Sequence, residues 1–397
     1  MKIRNDNATS FWVVAYTLCV VMFGTNVPAP LYGVYSKMWD FSSGMVTLLF
    51  AIYAFVLVPA SLLFGQLSDR FGRRKMLIGG VFSAFIGTLI LALAHDTWML
   101  LIGRGVQGLC VGILNGSAIA VLAELRPTDR KGASLVASVA IALGTAAGPL
   151  ISGIVAEYAP FPIRLPYYVH LMLLLPAVIG IVRLRDTRRR EPSTIRLHVP
   201  SVPKSIRLPF LTATFAGVLA WAIAGFFMVI APTFITNLVG VGNLAISGAV
   251  VFLMLGSSTG TQLLVKRMAP QRAIFTGLAL LSIGLVFVAV AIPMHSRWLL
   301  LLSTVIAGVG HGPTASASLA MIAETAPEKS RADAVSTYYA IAYLGVSVPV
   351  LGLGIVAQWL GMYDAILVFS VAIITGIFVL SRFVFLTLKE SKLAMTA

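Results

Sequence analysis

The stretch Gly65-Gln66-Leu67-Ser68-Asp69-Arg70-Phe71-Gly72-Arg73-Arg74-Lys75 connects two long apolar segments of this sequence. Its glycines allow a tight turn between closely packed helix ends. Asp69 is an acid within a basic loop, so it can pair with a cation or cap a neighbouring helix. Arg73 can form a two-pronged bond to a carboxylate. Basicity alone would indicate only a loop that orients the chain across a membrane, but this ordered pattern is more specific.

The composition around that stretch is typical of a membrane protein. Of 397 residues, 58% are hydrophobic and 11% are charged, against about 25% charged in ordinary soluble domains. Most side chains must therefore face lipid or one another. This excludes a soluble two-domain enzyme, a disordered chain and a disulfide-rich secreted scaffold. The two cysteines, Cys19 and Cys110, lie in apolar runs and form no motif.

Apolar segments of about 20 residues, the length that spans a bilayer, recur twelve times and predict an all-α integral membrane protein. They lie near 11–36, 44–67, 76–95, 98–123, 134–157, 164–182, 209–237, 242–265, 272–293, 297–322, 332–359 and 362–386. Nearly all of the 29 Lys and Arg fall on one face, while Lys37, Arg164 and Arg297 fall on the other. Positive charge favours the cytoplasmic side, so both termini are expected there, with the protein in the cell membrane. A net charge of +15 could suggest that the chain binds nucleic acid. The placement of the Lys and Arg residues in the connections between spans argues against that interpretation.

The chain is expected to divide into two halves, 1–182 and 209–397, joined by a basic cytoplasmic linker at 183–208. Residues 200 positions apart match between the halves: Trp98 with Trp298, Glu124 with Glu324, and Pro149 with Pro349. A repeat of two six-span halves is a transporter architecture, with the substrate site near the midplane between the repeats.

The motif at 65–75, the twelve spans, the two halves and the basic linker together resemble the major facilitator superfamily. The resemblance implies the major facilitator fold, with two pseudo-symmetric six-helix bundles, and a drug:proton antiporter of the efflux type. It also implies a cytoplasmic gate in which Asp69 meets the region Arg331–Ala334 and Arg73 meets Glu124. The predicted gate motif comprises Gly65, Asp69, Arg70, Gly72, Arg73 and Glu124.

The fourth span carries Leu101-Ile102-Gly103-Arg104-Gly105-Val106-Gln107-Gly108. A charge at the centre of a span costs roughly 2.5–3.5 kcal/mol on insertion scales. Arg104 can reduce that cost by extending its side chain to the outer interface, or it can face a cavity or a polar partner. The segment resembles the family's R-x-x-Q-G motif, in which the Arg is implicated in proton transfer.

The fifth span carries Gly144-Thr145-Ala146-Ala147-Gly148-Pro149 and then Gly153. This spacing of small residues lets two helix backbones approach closely, and Pro149 permits a bend. Ordinary helix packing is the simpler interpretation. The pattern nevertheless resembles the family motif typical of exporters, and the run from Phe23-Gly24 to Pro28-Ala29-Pro30 loosely resembles the pattern that accompanies it. Export is therefore favoured over import.

No Asp or Glu falls in the middle of a predicted span, and the first span offers Asn26 instead. Because a buried cation needs an opposite charge, the expected cargo is neutral, zwitterionic or anionic. Candidates for proton coupling are Arg104, His311 and Glu157, although His311 could equally be a hydrogen-bonded interior residue. By family resemblance, the candidates that line a substrate cavity are Asn26, Tyr32, Asn115, Trp221, Phe227, Tyr339 and Tyr343.

The predicted function is secondary active export of small lipophilic molecules by proton antiport with alternating access. The alternative is a proton-coupled importer of a small organic solute. A membrane enzyme would need a paired base and nucleophile at membrane depth, and a sensor would need an output domain; neither is apparent. No cofactor, metal cluster or nucleic-acid partner is expected. The protein is expected to be a monomer in the lipid bilayer.

Overall fold

The computed structural model describes residues 2–184, 202–235, 242–265 and 268–396. At some of these positions it describes only the backbone, among them 2–7, Asp69, Arg70 and 385–396. The described chain is helical, without strands. Twelve of its helical segments are long and apolar enough to cross a membrane. The predicted all-α, twelve-span fold is confirmed.

In the described residues, seven α-helices precede the predicted linker and six follow it. The first group comprises α1 (Lys2–Asn26), α2 (Tyr32–Met38), α3 (Ser43–Phe71), α4 (Arg73–Ala92), α5 (Thr97–Leu125), α6 (Arg130–Tyr158) and α7 (Leu165–Arg183). The second comprises α8 (Arg207–Ile230), α9 (Leu244–Leu264), α10 (Pro270–Ala291), α11 (Arg297–Thr325), α12 (Arg331–Leu360) and α13 (Met362–Thr396). Single-turn 3₁₀ segments occur at Ala29–Leu31, Lys204–Ile206 and Glu328–Ser330.

The chain forms two compact units, Met1–His198 with Gly242–Phe252, and Val199–Val241 with Leu253–Ala397. In the first unit, α5 packs on α3 and α4, and α1 packs on α5, α6 and α7. In the second, α11 packs on α10 and α8, and α12 packs on α8 and α13. The boundaries 1–182, 183–208 and 209–397 stay a prediction, and most of the linker lies outside the described residues.

Several spans begin at a polar side chain that accepts a hydrogen bond from the first turn. Ser42 accepts from the Met45 amide, Asp96 from that of Met99 at 2.8 Å, and Asp129 from that of Gly132 at 2.9 Å. Such caps satisfy amide groups that the helix itself leaves without partners. Asp96 and Asp129 thus have a structural role at helix ends.

The first span is not the single helix that its apolar run suggests. It breaks after Asn26, and a 3₁₀ turn leads into α2. Pro28 and Pro30 cause the break, because proline has no amide hydrogen to donate to the preceding turn. The seventh span changes in a similar way: α8 ends at Ile230 and continues as a π-helical turn, Ala231–Ile235, which contains Pro232.

Candidate functional site

The turn between α3 and α4 is a single residue, Gly72, whose φ of 91° favours glycine. Beside it, Ser68 Oγ lies 2.9 Å from Ser117 Oγ of α5. Arg74 Nη2 donates to the carbonyl oxygen of Val182, in α7, at 2.7 Å. The predicted tight turn is therefore present, and hydrogen bonds tie it to two other helices of the first unit.

Arg73 lies at this turn with its guanidinium against an acid of α5. Its Nη1 is 2.6 Å from Glu124 Oε1, and both side chains are mostly buried. This is the contact that the family resemblance implies; its role as a gate is a proposal. The side chains of Asp69 and Arg70 lie outside the described residues. Gly65 has open space where a Cβ would stand, so packing within the described chain does not require glycine there.

Glu124→Arg is expected to lower the initial transport rate about tenfold, because two cations would then face each other in a partly buried site. Arg73→Glu combined with Glu124→Arg should restore much of that rate by reversing the pair. Glu328→Arg, at an exposed acid, is the control for added positive charge. Transport and membrane expression are measured together, and a double variant as impaired as the single one would show that the two side chains do not act as a pair.

The break in the first span leaves carbonyl groups without helical donors. In an α-helix the carbonyl of residue i accepts from the amide of residue i+4, so Pro28 and Pro30 deprive Gly24 and Asn26 of their donors. Three side chains of α5 and α6 donate to carbonyls at the break: Gln107 Nε2 to Gly24 at 3.0 Å, Arg104 Nη1 to Thr25 at 2.7 Å, and Ser152 Oγ to Val27 at 2.7 Å. These donors stabilise the broken conformation.

Arg104 is enclosed within the first unit, with 2% of its surface exposed. Its Nε donates to the Leu49 carbonyl at 3.1 Å and its Nη1 to Gln107 Oε1 at 2.7 Å. The guanidinium lies over the ring of Tyr53, 4.8 Å from its centroid, and interacts with the side chain of Tyr32. The side chain therefore does not extend to the membrane interface.

The charge of Arg104 is balanced by dipoles. Among the described residues, no carboxylate forms an ion pair with it. Its acceptors are carbonyl and amide oxygens, and one of them, Thr25, lies at the carboxyl end of α1, where the helix dipole is negative. Arg104 thus joins the broken first span to α3 and α5.

The glycines of α6 lie where two other helices approach it. A Cβ on Gly144 would collide with the carbonyl oxygen of Cys19, and one on Gly148 with that of Phe23, both in α1. A Cβ on Gly153 would collide with the carbonyl oxygen of Leu244, the first residue of α9. The predicted exporter motif therefore lies at two close contacts between helix backbones.

Pro149 and Glu157 complete the contact between α6 and the start of α9. The carbonyl of Pro149 lies against Gly248, where no Cβ would fit. Glu157 Oε2 accepts from the Leu244 amide at 2.8 Å, and Asn243 Oδ1 accepts from that of Ile246 at 3.0 Å. A carboxylate at a helix amino terminus is favourable, so Glu157 caps a helix; its part in proton coupling stays a proposal.

His311, in the second unit, is 3% exposed. Its Nδ1 lies 2.8 Å from Ser258 Oγ of α9, and Gln262 Nε2 lies 3.4 Å from the same hydroxyl oxygen. The imidazole meets the Trp221 ring edge-to-face, with centroids 4.9 Å apart. His311 Nε2 is buried and has no partner among the described residues. One nitrogen is therefore partnered and the other is not.

The remaining cavity candidates differ in burial. In the first unit, Asn26 and Tyr32 are buried beside the break in the first span, and Asn115 of α5 is half-buried. In the second, Tyr339 is exposed and Tyr343 half-buried. Phe227 is fully buried and packs edge-to-face on Phe226, so in this structure it presents no surface to a cavity.

Sequence reasoning did not single out Gln107, Ser152 or Ser258 as site residues. A signal for Gln107 was present, because prolines at 28 and 30 leave the carbonyls of Gly24 and Asn26 in need of donors from elsewhere, and Gln107 donates to Gly24. Which side chains would supply them depends on how α5 and α6 pack against α1. The sequence has no comparable signal for Ser258.

A family model described as Major Facilitator Superfamily matches residues 14–294 and 262–394. This chain belongs to the Major Facilitator Superfamily. It is accordingly a multi-pass membrane transporter and not an enzyme. The break in the first span, the turn at Gly72 and the glycines of α6 are thus features of a member of this superfamily.

Curated relatives match the transporter over different lengths. An uncharacterized transporter of Buchnera aphidicola is 30% identical over 148 residues, 35% of this chain and 37% of that protein. The class B tetracycline resistance protein of Escherichia coli is 29% identical over 154 residues, 37% and 36% of the two chains. The gentisate transporter of Corynebacterium glutamicum is 24% identical over 394 residues, 94% and 85%. The first two alignments span less than half of the relatives' length.

Solved structures share the fold of this transporter. A bacterial homolog of the human lysosomal transporter Spinster, inward-facing and unoccupied, superposes with a TM-score of 0.72 at 12% identity, covering 95% and 97% of the two chains. A peptide transporter in complex with sulfate has a TM-score of 0.76 at 14% identity, covering 95% and 93%. At such low identity, these matches support the fold and say nothing about cargo.

Proposed function

We propose that this transporter exports small lipophilic molecules by proton antiport, with alternating access between its two halves. The observation that carries the proposal is the backbone contact of α6 with α1 and with the start of α9, at the glycines of a motif that resembles the exporters of the family. The name of the class B tetracycline resistance protein, a relative over about a third of the chain, supports the same direction.

The proposed cargo is neutral, zwitterionic or anionic. Arg104 places a permanent positive charge inside the first unit, because a guanidinium does not lose its proton in proteins. A cationic molecule that bound near Arg104 would meet like charge without a carboxylate to offset it. The candidates that would contact cargo are Asn26, Tyr32 and Asn115 in the first unit and Trp221, Tyr339 and Tyr343 in the second.

The remaining parts of the mechanism are assigned as follows. The gate at the turn of Gly72 closes through Arg73 and Glu124, and Gly65, Asp69 and Arg70 are the other members of its motif. Protons couple through Arg104, His311 or Glu157. The protein acts as a monomer in the cell membrane with both termini in the cytoplasm, and the cytoplasmic linker at 183–208 joins its halves.

Proton-coupled import is the second candidate, and one observation favours it. The gentisate transporter aligns with 94% of this chain, whereas the tetracycline resistance protein aligns with little more than a third. A full-length match to a transporter named for an organic solute favours a solute carrier over a drug exporter.

Accumulation of fluorescent probes in bacterial cells distinguishes the two candidates. Cells that express the transporter are expected to hold about one third or less of the anionic or neutral probe held by cells with the Glu124→Arg variant. A cationic probe should accumulate equally in both. Collapse of the pH gradient should remove the difference. Higher accumulation on expression would indicate import, and selective loss of the cationic probe would contradict the proposed cargo class.

A further inference from the structure

Among the described residues of the second unit, several buried polar side-chain atoms lack a hydrogen-bond partner. Three of them belong to almost fully enclosed side chains of α8 and α11: His311 Nε2 and Ser318 Oγ on α11, and Thr214 Oγ1 on α8. All three side chains are at most 5% exposed. A buried polar group without a partner loses its hydrogen bonds to water and forms none to the protein, which costs free energy. Each of these atoms is therefore expected to have a hydrogen-bond partner that is not part of the protein.

The three atoms are arranged along the contact between α8 and α11. Two spans separate these helices in the sequence, so they run in opposite directions through the unit. His311 packs against Trp221, which sets the level at which the helices meet. Ser318 lies seven residues from His311 on α11, and Thr214 lies seven residues from Trp221 on α8. Each is on the same face of its helix as its reference residue and about 10 Å nearer the predicted inner end. Ser318 and Thr214 are therefore at one level of the contact, and His311 and Trp221 are at another, nearer the outer end.

Tyr338 of α12 lies between these two levels. Its hydroxyl is 3.5 Å from the carbonyl oxygen of Ala315, and its ring lies against Gly217, where a Cβ would be 2.8 Å from the hydroxyl oxygen. Ala315 and Gly217 lie between the two pairs on their helices. The polar groups along this contact are therefore, from the outer to the inner level, the imidazole of His311, the hydroxyl of Tyr338, and the hydroxyls of Ser318 and Thr214.

The hydrogen bond at Nδ1 allows either neutral form of His311. Ser258 Oγ lies 2.8 Å from His311 Nδ1 and 3.4 Å from Gln262 Nε2, so its hydroxyl can donate to Nδ1 or accept from it. Nε2 accordingly needs an acceptor in one tautomer and a donor in the other. Water serves both, and the hydroxyls of Ser318 and Thr214 can also both accept and donate.

We propose that a file of ordered water molecules lies between α8 and α11 and joins His311 Nε2 to Ser318 and Thr214. Water suits this position because it donates and accepts, and buried water commonly satisfies such groups. An apolar cluster adjoins the inner part of this contact: Ile206, Phe210, Ala213, Ile322, Ala326, Ala334, Tyr338, Ala342. If the proposed proton coupling holds, this water brings a proton to and from Nε2; the presence of the water does not depend on that coupling.

Two buried histidines in the described part of the chain provide a matched test. His170 is 1% exposed, and both its nitrogens are partnered, Nδ1 by Thr88 Oγ1 at 2.9 Å and Nε2 by the Val20 carbonyl at 3.0 Å. His311 is equally enclosed but has one free nitrogen. In X-ray radiolysis of the purified full chain, hydroxyl radicals formed from water oxidise side chains next to it, and mass spectrometry reports the oxidation of each histidine.

We expect His311 to be oxidised at least about five times faster than His170, since only His311 adjoins bound water. Exposed His95 is the reference for bulk solvent. Equal, slow oxidation of His311 and His170 would overturn the proposal. The experiment uses neither cargo nor a proton gradient, so its failure is distinguishable from failure of the proposed transport function.

A double variant tests the length of the file. Thr214→Val with Ser318→Ala should reduce oxidation of His311 at least about threefold while leaving His95 unchanged, because the water loses two of its partners. Ser370→Ala, which removes a different buried hydroxyl without a partner in the described chain, should leave His311 unaffected. Unchanged oxidation of His311 in the double variant would show that the water does not reach Ser318 and Thr214. If that variant does not fold, the oxidation of His311 relative to His170 in the wild-type protein tests the proposal.

Discussion

Gly148→Ala is expected to destabilise this transporter by about 1–3 kcal/mol and to abolish most transport. The added methyl group would collide with the Phe23 carbonyl oxygen in α1. A backbone carbonyl cannot rotate away as a flexible side chain can, so α1 and α6 would have to separate. That separation would disturb the nearby break in the first span, to which Ser152 of α6 donates.

Gly116→Ala is the matched control for this variant. Gly116 also lies within a spanning helix, α5, but a Cβ there meets no atom within 4 Å. Alanine should be neutral or slightly stabilising there, since glycine within a helix costs about 0.5–1 kcal/mol relative to alanine. Thermal unfolding of the purified protein and transport by intact cells measure the two effects. Equal behaviour of the two variants would exclude close backbone packing as the reason for the motif in α6.

Arg104→Lys is expected to reduce the transport rate by one to two orders of magnitude with normal expression. Lysine keeps the positive charge but has one ammonium in place of a planar fork of donors. It cannot reach the carbonyls of Leu49 and Thr25 and the side chain of Gln107 together, as Arg104 does. Each lost bond from a charged group costs about 1.5–3 kcal/mol, and losing one or two accounts for the expected effect.

Arg297→Lys controls for the exchange of arginine for lysine. Arg297 begins α11, and its guanidinium lies near the ring of Trp298, which is mostly exposed. Rates are compared in membrane vesicles that contain equal amounts of protein. A wild-type rate for Arg104→Lys would mean that charge alone is needed at this position, and that the hydrogen bonds to the broken first span contribute little.

Composition and local pattern were sufficient for the architecture of this protein. Twelve apolar segments predict twelve spans because lipid requires each crossing to satisfy its own backbone hydrogen bonds. The tight turn at Gly72 and the contact between Arg73 and Glu124 followed from a specific local motif and its resemblance to a family. These features depend on neighbouring residues, or on one pairing that the motif itself specifies.

The bonding of Arg104 could not be predicted in the same way. The sequence left open whether this side chain reaches the interface or a polar partner, and its partner Thr25 is 79 positions away. The prolines that break the first span were visible, but the helices whose side chains would satisfy its carbonyls were not. That answer requires the packing of α1 against α5 and α6, which side-chain shape determines over long sequence distances.

The sequence by itself determined that this chain crosses a membrane twelve times and belongs with facilitator-type transporters, because hydropathy and motif spacing are properties of contiguous residues. Tertiary structure alone decided that Glu157 caps α9, that Phe227 is enclosed, and that His311 has one partnered nitrogen and one free. Such outcomes depend on which helix faces pack together. In a chain with so many apolar residues, the hydropathy of the helix faces does not distinguish the face that contacts another helix from the face that contacts lipid.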